Sequence, residues 1–98
     1  MKRSKKIIQF DWDRGNSDKN WQSHKVSDGE CEEVFFDPGK KILKDVSHSL
    51  GEERFILLGR TTASRILFIV FTVRNNKVRI ISARDLNKKE KNLYEKSH

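Results

Sequence analysis

The chain has 98 residues, 36% charged and 35% apolar, with a formal net charge of +7. That length suits one domain with one modest core and excludes two domains that each bury an apolar face of their own. A single cysteine excludes an intramolecular disulfide, one cysteine and three scattered histidines make no zinc framework, and no apolar run nears the roughly 18 to 20 residues a membrane helix needs.

In chain order, residues 1–6, MKRSKK, read as a flexible basic tail on a single domain spanning 1–98. The tail leads into IIQFDWD rather than into a long apolar stretch, so no secretory leader is expected and a cytoplasmic location is. Ile8, Phe10 and Trp12 alternate with Gln9 and Asp11, which predicts a short strand ending at Asp13. Residues 13–24 have an N-cap candidate in Asp13 but poor helix formers in Gly15, Ser17, Asp18 and Asn20, so a marginal helix is expected there, with His24 capping or packing at its end.

The next helix is better marked. Ser27 and Glu30 have capping-box spacing, Val26 and Cys31 have hydrophobic-staple spacing, and Cys31, Val34 and Phe35 form an apolar stripe. Asp37-Pro38-Gly39 stops it. Cys31 reads as a small buried residue on the stripe, with no base or second thiol near it in sequence.

A short strand is predicted over 40–45, then a polar loop, then stronger strands over 53–60, 65–74 and 77–84. Asn75-Asn76 fits a two-residue type I′ turn. Such a turn sets Arg74 against Lys77, Val73 against Val78, Thr72 against Arg79, Phe71 against Ile80 and Val70 against Ile81. In that register one face carries Val73, Phe71, Ile69, Val78 and Ile80 and is the core. The other gathers Arg74, Lys77 and Arg79 beside Thr72, Val70, Ile81 and Phe68; Arg54 and Arg60 share a face with Ile56 and Leu58. Arg84 has the other parity and acts from the strand end unless a bulge turns it. A last helix starts at Asn87, with Glu90 three residues on, and runs through Leu93 and Tyr94; Tyr94 reads as a packing residue with a wet hydroxyl.

The charge is unevenly placed. Residues 1–50 carry ten basic and nine acidic side chains, and residues 51–98 carry eleven and five. No carboxylate occurs between Glu53 and Asp85, where seven cations stand, six of them arginine. Solubility at a sheet edge is the plain explanation. Lysine usually serves that purpose, however, and the arginine fork matches phosphate oxygens, so a polyanion partner is the sharper one.

W-D at 12–13, Asn20, His24, Val26-Ser27, V-F-F-D-P at 34–38, H-S at 48–49, G-E-E-R-F at 51–55, G-R at 59–60, T-x-R at 72–74, R-I-I-S-A-R at 79–84, and Glu90 with Tyr94 occur in order. Together they resemble the BrnT family of type II toxin-antitoxin ribonuclease toxins, over Phe10 to Glu95. The resemblance implies an α+β, RelE-like fold: N-terminal helices on a mostly antiparallel sheet of about four to five strands, with a short C-terminal helix. It also implies an RNA-cleaving toxin that inhibits translation, needs no cofactor or metal, and is neutralised by a BrnA-like ribbon-helix-helix antitoxin, through which alone operator DNA is met. This chain departs from the resembled pattern at Asn16, at Ser23 and Lys25 (where lysine and a turn glycine are usual) and at Asp28, which leaves a weakened or a differently targeted toxin as the expectations.

Metal-independent RNA cleavage uses the neighbouring 2′-hydroxyl and needs a base, an acid and positive charge around the phosphate. Arg79 and Arg84, with His48 and Glu53, are the catalytic candidates; Arg60, Arg74, Lys77, Arg54 and Lys19 are the RNA-binding ones. His48 sits in the polar loop beside GEER, and an imidazole is the side chain suited to proton transfer near neutral pH; an exposed loop histidine is the equally weighted alternative. Glu53 reads as a base or as the partner holding an arginine, the latter preferred. A non-catalytic nucleic-acid or protein-binding module, a decayed toxin acting as co-repressor, would carry the same cations.

Overall fold

The computed structural model describes residues 8–46 and 51–96, so the tail at 1–6 and His48 lie outside the described residues. Three short helices, α1 (Lys19–His24), α2 (Asp28–Glu33) and α3 (Lys88–Lys96), accompany strands β1 (Lys41–Lys44), β2 (Phe55–Arg60), β3 (Ile66–Arg74) and β4 (Lys77–Asp85). The strands form one antiparallel sheet in the order β1-β2-β3-β4. This is the α+β architecture expected from the sequence.

Local chemistry accounts for most boundaries. Ser27 Oγ accepts from the Glu30 amide at 3.1 Å while Glu30 reaches back to the Ser27 amide at 3.0 Å, closing the capping box of α2. Val34–Phe36 tighten into a 3-10 turn before Pro38. The β3–β4 turn holds Asn75 at φ 52° and Asn76 at φ 64°, the positive pair a type I′ turn requires. Asn87 and Glu90 form a second reciprocal cap, at 2.9 and 2.8 Å, that starts α3.

The N-terminal layer and the 3-10 turn cover one sheet face, where Val26, Cys31, Val34, Phe35, Leu57, Leu67, Ile69, Phe71, Ile80 and Ala83 make the core. Phe35 meets Phe10 and Phe71 edge-on, with ring centroids 5.3 and 5.1 Å apart. On the opposite face α3 covers one end only, over Leu58 and beside Arg60, whose guanidinium lies 5.7 Å from the Tyr94 ring centroid. Tyr94 does pack, but its hydroxyl is not wet: it donates to Asp37 Oδ2 at 2.6 Å. Burial alone would raise the Asp37 carboxyl; hydrogen bonds from Tyr94 and from the Gly39 and Arg60 amides, with the Arg60 charge, hold it below its ordinary value.

Two expectations need correction. The strand expected over Ile8 to Trp12 reduces to a single parallel bridge, Phe10 to Val78, with Asp11 N donating to Val78 O and Val78 N to Gln9 O, both at 2.8 Å. Beyond it the outer edge of β4 is met by side chains instead of backbone. Asn16 Nδ2 donates to Ile80 O at 3.0 Å, Lys19 Nζ to Ile81 O at 2.7 Å, and the Ala83 amide donates to Asn20 Oδ1 at 2.9 Å. Asn16 and Asn20 are accordingly buried, and Asp13, expected as a helix cap, instead accepts from the Gly15 amide in a turn at 2.7 Å.

The second correction is to the register. Pairing runs as expected from Arg74–Lys77 to Phe71–Ile80, but Val70 then faces Ser82, not Ile81, so Ile81 is the extra residue of a β-bulge. The bulge resets parity for the rest of β4. Arg84 faces Phe68 and joins the same side as Arg79, rather than acting from the strand end.

Candidate active site

The face away from α1 and α2 receives cations from three places. Arg54 stands just ahead of β2, Arg74 and Lys77 flank the turn, and Arg79 lies opposite Thr72. Their electrostatic neighbourhood is shared. The Glu52 carboxyl is held below its ordinary value chiefly by a hydrogen bond from Arg74, and beyond that by the charges of Arg74, Arg54 and Arg79. Arg79 in turn feels Asp13, Asp11 and Arg74.

Those cations are not without acidic partners, as the carboxylate-free stretch had suggested. Arg79 donates to both oxygens of Asp13, at 2.9 and 3.0 Å, with Asp11 at 3.6 Å; Arg74 donates to both oxygens of Glu52, at 2.6 and 3.1 Å; Arg84 donates to both of Glu90, at 2.8 Å each. The gap in acidic residues is a property of the local sequence. The tertiary fold fills it, laying the N-terminal segment along β4, the 51–54 segment beside the hairpin, and α3 beside the end of β4. Asp11, Asp13, Glu52 and Glu90 are the carboxylate partners that the sequence reading did not assign, and only Glu90 had a local signal, its capping spacing from Asn87.

The remaining candidates separate. Arg84 and Arg60 lie at the α3 end, against Phe68 and Tyr94. Glu53 is exposed and pairs with Lys44 at 2.8 Å, so the arginine partner foreseen for it is a lysine. Lys19 braces the bulge carbonyl and borders a cleft of about 690 Å³ with Trp12, Asp13, Arg14 and Ser17. Arg65, at the opposite end, is structural: it bonds Asp85 at 2.7 Å, Glu30 at 3.1 Å and the carbonyls of His24 and Lys25. Exposed His24 therefore sits away from the arginine cluster. Burial, then the charges of Asp28, Glu30 and Glu32, push the Cys31 thiol up to about 12, which makes it inert as a nucleophile. Among the described residues no group of three or more histidine, cysteine or carboxylate side chains is placed to hold a metal ion, and no helix is long and apolar enough to cross a membrane.

A comparison with family patterns bears directly on this arrangement. Residues 12–90 match the family described as the ribonuclease toxin, BrnT, of type II toxin-antitoxin systems. The chain belongs to that family. No curated protein matches it.

Membership in the BrnT family implies an RNA substrate and an antitoxin partner. The positions at which the resemblance led to an expected departure, Asn16, Ser23, Lys25 and Asp28, lie in the N-terminal layer. Asn16 is 3% exposed and braces β4. Lys25 ends α1 at φ 57°, the conformation a glycine adopts without strain. Asp28 opens α2 and accepts from Ser17 Oγ at 2.7 Å.

Proposed function

We propose that this chain is a metal-independent endoribonuclease that cleaves RNA by attack of the 2′-hydroxyl and so inhibits translation in the cytoplasm. Its cognate antitoxin is a BrnA-like ribbon-helix-helix protein, through which the pair contacts operator DNA, and the RelE-like kinship implied by the resemblance belongs to the same reading. One observation carries it: Arg74 grips Glu52 on a sheet face that α3 leaves open at that end, and Arg54 and Arg79 act on the same carboxylate through their charges. Two of these arginines are held by paired hydrogen bonds, so their positions are set before substrate arrives.

In this reading Arg79 keeps its expected role at the pentacoordinate phosphate and Arg74 takes the role expected of Arg84, whose Nη1 and Nη2 are held by Glu90; Arg54, Lys77, Lys19 and Arg60 hold the flanking backbone, and His48 and Glu53 are the proton-transfer candidates. Phosphate oxygens compete with Asp13 and Glu52 for the guanidinium donors. That competition favours a second reading, a non-catalytic module that acts with its antitoxin, because a cation already paired with a carboxylate binds a phosphate less strongly.

Induced expression with and without the antitoxin, followed by analysis of total RNA, separates the two. The enzyme predicts growth arrest, RNA fragments with 2′,3′-cyclic phosphate and 5′-hydroxyl ends, relief by the antitoxin, and loss of cleavage by roughly 100-fold or more in Arg79→Ala. Intact RNA with normal growth selects the module.

A further inference from the structure

Arg84 is placed unlike the other arginines of its face. Its guanidinium carbon lies over the Phe68 ring, 4.0 Å from the centroid, so the ring occupies one side of the group. Nη1 and Nη2 each donate to a Glu90 oxygen at 2.8 Å, and Nη1 also donates to Asp85 O at 3.1 Å. The Nη1–Nη2 edge is therefore taken, and only the Nε side could still meet a phosphate oxygen. Yet 36% of the side chain stays exposed. With the Phe68 ring on one side and that edge against a carboxylate, the outer side of the plane is the part of the guanidinium that meets no partner among the described residues.

We propose that Arg84 is a nucleobase-stacking shelf, on whose outer surface an unpaired base of a single-stranded RNA lies flat. The proposal rests on the RNA reading above and deepens it by naming what the α3 end of the face recognises. Guanidinium planes and aromatic rings are the surfaces on which unstacked RNA bases settle. This plane is also immobilised before binding. Phe68 supports it from beneath, and Glu90, 18% exposed, is itself fixed by its reciprocal cap with Asn87. Little rotamer freedom is left to lose when a base arrives.

The surroundings suit a strand of RNA crossing the sheet. Beside Phe68 a depression of about 430 Å³, lined by Ile56, Val70, Ile81, Ser82, Arg54 and the acidic Asp45, leads toward the arginine cluster. Its floor is apolar, and a cation stands at its far side. A base on Arg84 would thus leave its backbone directed at Arg54 and Arg79. The bulge at Ile81 makes this possible, because without it Arg84 would face the core side.

The test uses the intact chain and a non-cleavable 2′-O-methyl RNA octamer, with an abasic nucleotide moved through each position in turn. For the wild type, one register position should lose roughly tenfold in affinity when its base is removed, and 2-aminopurine there should be quenched on binding. Arg84→Lys keeps the charge and loses the plane; it should erase that penalty while leaving the other positions unchanged. Arg84→His keeps a plane, and at pH 8 it should retain the penalty; it also carries the comparison if the lysine variant is unfolded by thermal melt.

Uniform weakening of every octamer by Arg84→Lys, abasic ones included, would make Arg84 a phosphate contact and overturn the shelf. So would a wild type that binds without any position-dependent penalty, or a penalty unchanged in both variants; each leaves the RNA reading standing. Failure of the wild type to bind or cleave any RNA overturns that reading, and the shelf with it.

Discussion

Arg79 donates to both carboxylate oxygens of Asp13, at 2.9 and 3.0 Å, and by that pair strand β4 is tied to the N-terminal segment 66 residues away in sequence. In the proposed function the same pair limits what Arg79 can offer an anion, since its side chain is only 16% exposed and a phosphate would have to share it with Asp13.

Asp13→Asn should therefore tighten RNA binding. Removing that carboxylate leaves Arg79 only the more distant Asp11, at 3.6 Å, so the slope of log affinity against log salt should steepen by up to about 0.7, the increment for one further contact to single-stranded RNA. Filter binding of a short RNA across a salt series checks it; an unchanged or shallower slope would mean that Asp13 is needed to hold Arg79 in place.

Acid should loosen α3. The Glu90 carboxyl is held below its ordinary 4.5 mainly by the Arg84 hydrogen bond, against burial. A depressed carboxyl contributes stability that is complete above its unfolded value and is lost as pH falls through the lower folded one. Below about pH 4.5 the melting temperature of the wild type should drop more steeply than that of Glu90→Gln, which has no proton to gain. Parallel curves would remove the pair from the acid response.

Gly59 has no room for a methyl group. A Cβ there would stand 2.9 Å from both Val34 Cβ and Val34 O and 2.8 Å from Leu57 Cδ2, and the Val34 oxygen is backbone. Gly59→Ala should cost about 1–3 kcal/mol in urea unfolding. Gly29→Ala, whose nearest neighbour is Ser27 Oγ at 3.9 Å, should be neutral or stabilising by up to about 1 kcal/mol.

Lys25 carries the opposite error. It sits at φ 57° with its ammonium 5.4 Å from the Trp21 ring centroid. Glycine would relieve the left-handed strain and forgo that weak contact, so Lys25→Gly should stabilise by about 0.5–1 kcal/mol, readable as a higher urea midpoint at constant slope.

Where the deciding physics is local, this sequence was legible. Capping at Ser27 and Asn87 needs residues only three apart, the Asn75-Asn76 turn needs two neighbours that tolerate positive φ, and alternation along 66–74 and 77–80 assigns each side chain to a face. From these the sheet, α2, α3 and the cationic surface follow. The first helix was harder, because poor helix formers at 15–20 are recruited to bond the edge of β4, and no propensity describes that.

Tertiary structure alone decided which charges meet. The partners of Arg79, Arg74 and Arg84 come from 66, 22 and 6 residues away, and the bulge at Ile81 that puts Arg84 on the working face is braced by Lys19 from α1. A chain can announce its pleat and its turns through nearest neighbours. The pairing of its ions depends on distances in space, which exist only once the remote segments have packed.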